Sequence, residues 1–336
     1  MSRRTSGAVT GVAVVALVAL AASACGGSSG KSGSGGGSGG STSKKNLELI
    51  VGNANDDFYV TMKCGALQEA KKLGVNLTAN GPSDFTIPLQ KPLIDAAVSS
   101  KPDALLVAPT DTAALDPDLH QVQSAGTKVV FVDTSSNDTA LGVSRITSDN
   151  AAGGKLAADQ LGTAIGGKGA VAMVSTPKGT STTDARIAGF QQEMKAKYPA
   201  VQLLPVNYIT GSSSAPAATD VGADISGHPN LTGVFAANLG TAEGAATALR
   251  NAHKTGTIKA AAFDAEPPEV QALQQGVFQI LIAQEPAYQG QVGVQQAMNS
   301  LQGKPVQANI PSPTVAITKD NMNQPNVQQF IYKSSC

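Results

Sequence analysis

Residues 53 to 65 read NANDDFYVTMKCG, setting two adjacent carboxylates, Asp56 and Asp57, against two adjacent aromatics, Phe58 and Tyr59, where an apolar run hands over to a helical pattern. Polar groups follow other apolar runs in the same way: Pro109 to Asp111, Asp133 and Thr134, Thr176 to Asp184, Asn238, Asp264 to Glu266, and Gln284 with Glu285. Carboxylates and amides pair with hydroxyls, and aromatic faces suit C–H surfaces. Turns collect Asp, Asn and Ser at any strand end, so no single position carries this reading; the set with its aromatic corner does.

Catalysis would need more. Ser, Asp and His are all present, yet no arrangement singles out a nucleophile with its base. His120, His228 and His253 are scattered, and no pair has the spacing of metal ligands. GTAIGGKG at Gly162 to Gly169 spells the start of a phosphate loop, but Gly169 replaces the Ser or Thr that would hold magnesium, and the segment lies between a helix and a strand, the wrong order. The spelling G-x-S-x-G at Gly26 to Gly30 and at Gly36 to Gly40 has no strand before it and no helix after it. The expectation is a binder, not an enzyme, without metal or cofactor.

The elements that must hold these residues alternate. Short apolar runs at Leu47 to Val51, Val75 to Thr78, Ala104 to Ala108, Val129 to Val132, Ala170 to Ser175, Val201 to Tyr208, Gly233 to Ala236, Ala260 to Phe263 and Gln279 to Ala283 read as strands. Helical patterns lie between them; in the first, Val60, Cys64, Leu67, Ala70 and Leu73 share a face that stops at Gly74. Repeated βα units imply parallel sheets covered on both faces. The strands are too many for one small sheet, so two doubly wound α/β lobes are expected, with ligands beyond the carboxyl ends of the strands.

Lys plus Arg and Asp plus Glu number 24 each, so no basic field attracts nucleic acid. Arg3 and Arg4 precede an apolar run from Ala8 to Ala22, shorter than a spanning helix needs. Ala22, Ser23 and Ala24 before Cys25 resemble the lipobox of bacterial lipoproteins, which implies lipidation of Cys25. Gly26 to Ser43 is almost wholly Gly and Ser, a solvated tether. The expected localisation is extracytoplasmic, lipid-anchored at the cell membrane.

Eight segments in order, FYVTMKCGALQEAKKLG, LLVAPTD, VVFVDT, SDNAAGGKLA, GTSTTDARIAGFQQ, VFAAN, AAFDAEP and IAQEPAYQG, resemble type I periplasmic binding proteins of the ribose and galactose group, from Leu47 to about Ile317. The resemblance implies two lobes joined by three crossovers, near Asp149 and Asn150, at Ala283 and Gln284, and around Ser312 to Thr314. With the lipoprotein signal peptide expected at 1–24 and the tether at 25–45, it implies an N-terminal lobe of 46–149 plus 284–312 and a C-terminal lobe with tail of 150–283 plus 313–336. It places Asp133, Asn238, Asp264 and Gln284 against ligand hydroxyls and Phe58 and Tyr59 as a sandwich around a sugar ring, with Asp56 in place of a contacting Asn. Thr134 and Asp184 fall where ribose binders carry arginines, so they join the ligand set while putting ribose itself in doubt, and Ser212 lies near where another aromatic is expected. Arg186, two positions beyond Asp184, reads first as a structural helix residue, with an inward swing to the ligand as the alternative, and Asp57 reads as a charge favoured at a helix N-terminus.

The implied ligand is a monosaccharide, sugar alcohol or cyclitol, with room left for an amino sugar. The implied partners are an ABC permease and ATPase, and the expected state is a monomer. The alternative is a ligand-sensing module for a membrane signalling protein. With Cys25 lipidated, Cys64 and Cys336 form an even pair outside the membrane. The tail from Thr318 is longer than a ribose binder requires, and it is expected to wrap back so that the two cysteines bridge.

Overall fold

The computed structural model describes residues 44–336; the expected signal peptide, the expected lipidation site Cys25 and nearly all of the expected tether lie outside them. The chain first builds β1 (Asn46–Ile50), α1 (Asp57–Leu73), β2 (Asn76–Asn80), α2 (Ile87–Ser100), β3 (Ala104–Val107), α3 (Asp116–Ser124), β4 (Lys128–Val132) and β5 (Ser144–Ser148). It crosses to a second lobe of α4 (Asn150–Ala164), β6 (Gly169–Ser175), α5 (Ser181–Lys197), β7 (Val201–Tyr208), α6 (Ser214–Gly227), β8 (Leu231–Ala236), α7 (Leu239–Asn251), β9 (Lys259–Phe263), α8 (Pro267–Gln274) and β10 (Ile280–Gln284). It returns for α9 (Pro286–Leu301) and β11 (Asn309–Ser312), then leaves again for β12 (Thr314–Ile317) and α10 (Pro325–Gln328).

The two six-stranded sheets have orders β11-β5-β4-β3-β1-β2 and β12-β10-β9-β8-β6-β7. Every pairing is parallel except the antiparallel edge pair β10–β12. The expected two-lobed α/β architecture is therefore present. Central strands are buried on both faces, which is why they read as unbroken apolar runs. Each sheet carries an apolar core on either side, and each fully buried Val, Leu, Ile or Phe contributes about 1.5–3 kcal/mol.

Helix starts lie at the cleft ends of the strands. Asp56 caps α1 by accepting from the Phe58 N–H at 2.9 Å, and Gly74 ends that helix in the left-handed conformation. Asp149 caps α4, while Asn238 and Thr241 form a reciprocal cap on α7. Gly154 of α4 lies against the Arg186 carbonyl and Gly189 of α5 against that of Ala151. This close helix contact carries Arg186 inward. Among the described residues no helix is long and apolar enough to cross a membrane.

The lobes meet across the cleft. Asn53 donates to Ser212 Oγ (3.0 Å), the Ser212 N–H to Asp84 (2.9 Å), the Asp57 N–H to Glu266 (3.0 Å), the Thr112 N–H to the Gly179 carbonyl (2.9 Å), and the Ser135 N–H to Ser181 Oγ (3.0 Å). Gly179 and Gly211 stand at two of these contacts with φ of 100° and 71°, and a Cβ on either would strike a carboxylate of the opposite lobe, Asp111 or Asp84.

Candidate functional site

Between the lobes lies a cavity lined from one side by Asp56, Phe58, Tyr59, Phe85 and Asp133, and from the other by threonines 176, 180, 182 and 183 with Arg186, Ser212, Asn238, Asp264 and Gln284. Seven of the nine ligand residues expected from the sequence meet here: Asp56, Phe58, Tyr59, Asp133, Asn238, Asp264 and Gln284.

Asp133 and Asp264 follow β4 and β9, and both sit in the left-handed region, φ 62° and 78°. Each is held there by its own N–H, which donates to a neighbouring strand at Ile146 (2.8 Å) or Ile282 (3.0 Å). Strain of about 1–3 kcal/mol per residue persists only where the surroundings enforce it, and it aims each carboxylate off its strand end into the cleft. Asp264 Oδ1 accepts from Gln284 Nε2 (2.7 Å) and the Tyr332 hydroxyl (2.8 Å), and Oδ2 from the Leu239 N–H (3.0 Å). Asp133 Oδ2 accepts from the Tyr59 hydroxyl at 2.8 Å, and among the described residues nothing donates to its Oδ1.

Arg186 is 3% exposed. Its Nε donates to Asn150 Oδ1 and its Nη1 to the Ala237 carbonyl, both at 2.8 Å; the guanidinium lies 4.1 Å from the centre of the Phe263 ring, and Nη1 stands 4.0 Å from Asp264 Oδ2. Burial pushes the Asp133 carboxyl up to about 6, with Arg186 and the Tyr59 hydroxyl opposing the rise. Half-buried Asp56 is pushed well above the ordinary carboxylate range by desolvation and by the negative charges of Asp264 and Glu266.

Several polar atoms are left to face the cavity. Gln284 Oε1 is buried with no partner. Asn238 spends its oxygen on Thr241, leaving its NH2 group without a bond to the described residues. Buried polar atoms are almost always satisfied, so Gln284 Oε1 is open to a partner from outside the described residues. With the Asp133 oxygen, the Asp56 carboxyl and the threonine hydroxyls, the arrangement can bind a compact molecule bearing hydroxyls on several edges.

Four expectations need correction. Thr134 is buried but off the cavity, its hydroxyl without a partner, because the left-handed turn at Asp133 sends the next side chain away. Asp184 is also off the cavity; in the first turn of α5 it accepts from the Gly179 N–H at 2.8 Å. Arg186, read as structural, lines the cavity: Thr182, Thr183 and Arg186 share the buried face of α5, and this i, i+3, i+4 spacing was the signal available. Phe58 and Tyr59 meet edge to face at 87°, forming a corner and not the two parallel faces of a sandwich; Tyr59 acts there as the donor to Asp133.

Sequence reasoning also missed Phe85 and Tyr332. Tyr332 comes from the tail, whose Met322, Val327 and Phe330 pack into the second lobe. Its hydroxyl accepts from the Gln284 N–H (3.2 Å) while donating to Asp264, its N–H donates to the Ala265 carbonyl (3.0 Å), and its ring meets Phe58 edge-on at 5.6 Å. The tail then returns to the first lobe, where the Lys333 N–H donates to Thr61 (2.7 Å) and Cys336 is bonded to Cys64 of α1. The expected bridge is present, and the last residues belong with the first lobe, not the second.

The periplasmic binding protein domain matches residues 47–305. The chain is 32% identical to the ribose import binding protein of Escherichia coli across 80% of its own length and 89% of the relative's. Its fold is similar to an ABC transporter solute-binding protein from Agrobacterium vitis bound with alpha-D-tagatopyranose, with a TM-score of 0.83, 38% identity and coverage of 86% of this chain and 100% of that one. It is also similar to a carbohydrate transporter solute-binding protein from Agrobacterium radiobacter in complex with D-arabinose, with a TM-score of 0.83, 26% identity and coverage of 87% and 100%. With two parallel-sheet lobes closed over a polar cavity, the chain belongs to the periplasmic binding protein family, in the type I ribose and galactose group of ABC importers.

Proposed function

We propose that this protein captures a monosaccharide, or a sugar alcohol or cyclitol of similar size, outside the cytoplasm and hands it unchanged to an ABC permease driven by its ATPase. The observation that carries the reading is a pair of acceptors on cavity-lining residues that lack a donor among the described residues, the buried Gln284 Oε1 and Asp133 Oδ1, which suit a donor-rich guest. The sugars bound by the relatives support the ligand class. Asp56, Asp133, Arg186, Asn238, Asp264 and Gln284 contact the hydroxyls, and Phe58 covers C–H surface. Because groups from both lobes touch one ligand, closure is stabilised by the contacts that the open form lacks.

Cys25 carries the lipid anchor and Gly26 to Ser43 the tether, holding a monomeric body off the membrane. A thermal-shift screen of the purified protein against ketohexoses, aldopentoses, aldohexoses, polyols, inositols and amino sugars tests the ligand class, since a ligand that binds only the folded state raises the melting temperature. Silence across the whole panel would overturn the assignment. Mass spectrometry of the N-terminal peptide from cells decides the anchor: a diacylglyceryl adduct on Cys25 is expected, and an unmodified cysteine ends that part.

A further inference from the structure

A second cluster of acidic groups lies beside the cleft, outside the cavity lining. Glu243 comes from α7, Glu266 is the N-cap of α8, and Glu269 lies in the first turn of α8. One carboxylate oxygen from each lies within 4.8 Å of the other two. Glu266 is 7% exposed and Glu269 1%, while Glu243 is half-buried at the mouth of a surface pocket that Glu269 also lines.

Neither oxygen of Glu269 has a hydrogen-bond partner. Among the described residues no Lys, Arg or His nitrogen comes within 4.0 Å of any of the three carboxylates. The nearby Arg250 at the pocket rim is exposed and donates to Gln275. The N-terminus of α8 offers roughly half a positive charge, which does not balance three carboxylates. A buried carboxyl with two unmet oxygens facing two more carboxyls is a place where a cation can be held.

We propose that Glu243, Glu266 and Glu269 hold a hard divalent cation, with Ca2+ the preferred ion. All-oxygen donors select Ca2+, Mg2+ or Mn2+ over softer metals. Ca2+ takes oxygens at about 2.4 Å, so two on opposite sides of one ion stand about 4.8 Å apart, the outer limit of this cluster. Three carboxylates can supply up to six oxygens, whereas Mg2+ keeps several of its waters; the pocket beside Glu243 admits water to the remaining positions.

The site also bears on closure. Glu266 Oε1 accepts from the Asp57 N–H of the opposite lobe at 3.0 Å, so an ion that fixes this carboxylate fixes one of the latches between the lobes. The histidine spacing searched in the sequence could not find such a site, because its ligands are carboxylates from separate elements.

The test is a melting curve of the full protein after EDTA treatment and dialysis, repeated with Ca2+, Mg2+ or Mn2+ and no sugar, which makes it independent of the ligand assignment. Ca2+ at about a hundredfold excess over its Kd should raise the melting temperature by about 5 °C. Glu269→Gln should remove the rise while melting at or above the ion-free wild type, since it relieves repulsion. Glu243→Gln, at the half-buried rim, should weaken the Ca2+ response at least tenfold and serves if the first variant does not fold. No response to any of the three ions at 10 mM would overturn the proposal, and so would an equal response in wild type and Glu269→Gln.

Discussion

The Asp133 corner and the Asp264 corner are built alike and finished differently. Each aspartate follows a buried strand, sits at positive φ and donates its N–H to the next strand of its own sheet. Around Asp264 the protein supplies three donors, from α7, β10 and the tail, with Arg186 at 4.0 Å. Around Asp133 it supplies one, from Tyr59. Asp264 is thus a structural anchor that also lines the cavity, and Asp133 keeps an oxygen without a donor among the described residues. One fold repeated in two lobes can divide the work between framework and recognition.

The largest effect should follow from Asp264→Ala, which strands the Leu239 N–H, the Tyr332 hydroxyl and the Gln284 amide without their acceptor. Removing one member of a buried charged network costs about 3–5 kcal/mol. Affinity for the sugar found in the screen should fall beyond about a hundredfold, with the melting temperature down by on the order of 5 °C or more. Affinity within threefold of wild type would place Asp264 outside the site and break the comparison.

Asp133→Asn should act on binding with little harm to the fold. A hydrogen bond to a charged acceptor is worth about 1.5–3 kcal/mol, so titration calorimetry should show roughly a tenfold to hundredfold loss. The carboxyl is raised from 3.8 to about 6 in the folded protein. The sign follows: the folded state binds the proton more tightly than the unfolded one, so this group's contribution to stability is fully present below about pH 4 and lost as pH rises through 6. Ligand hydroxyls prefer the ionised form, so affinity should fall as pH drops through about 6, and Asp133→Asn should flatten that dependence. A wild-type affinity flat from pH 5 to 8 would remove Asp133 as the charged acceptor.

Much of this was legible in the sequence, for physical reasons that also explain the gaps. The central strands are unbroken apolar runs because both faces are buried, and residues after them line the cavity because it lies at the carboxyl ends of parallel sheets. β5, β11 and β12 escaped notice. In β5, Ser144, Arg145 and Thr147 interrupt the pattern, and the other two strands are short edges half open to solvent. Arg186 was masked by expecting an arginine at position 184, whereas the helical period of α5 turns Asp184 toward the Gly179 loop and Arg186 into the cleft. Tyr332 could not be seen at all, because its role depends on where a tail crosses, which no local pattern encodes.

Tyr332 supplies the next test, since it is one of the donors that make the Asp264 corner the stiffer of the two. Tyr332→Phe keeps the edge contact with Phe58 but removes the hydroxyl from Asp264 and Gln284, so affinity should weaken about threefold to tenfold. Cys336→Ser releases the tail's far end from α1. Closing a loop that long stabilises the fold by about 5 kcal/mol at most in the chain-entropy model, so the melting temperature should fall by several degrees, with affinity moving in the same direction as in Tyr332→Phe. If Tyr332→Phe binds as wild type does, the third donor is decorative and the two corners are more alike than their bond counts imply.

The smallest effect belongs to Asp184→Asn, and its smallness is informative. Ribose binders place an arginine on the ligand at this position, so if this chain kept that arrangement with a carboxylate the substitution would change affinity strongly. Here Asp184 turns away and accepts from the Gly179 N–H, while the Gly179 carbonyl accepts from Thr112 across the cleft. Its influence therefore runs through a loop at the lobe contact. The asparagine oxygen can still accept from Gly179, so sugar affinity should stay within about twofold and stability within about 1 kcal/mol. A tenfold loss would mean that the ligand reaches past Thr183 to Asp184, and that the second lobe contributes a recognition carboxylate beyond the anchored Asp264.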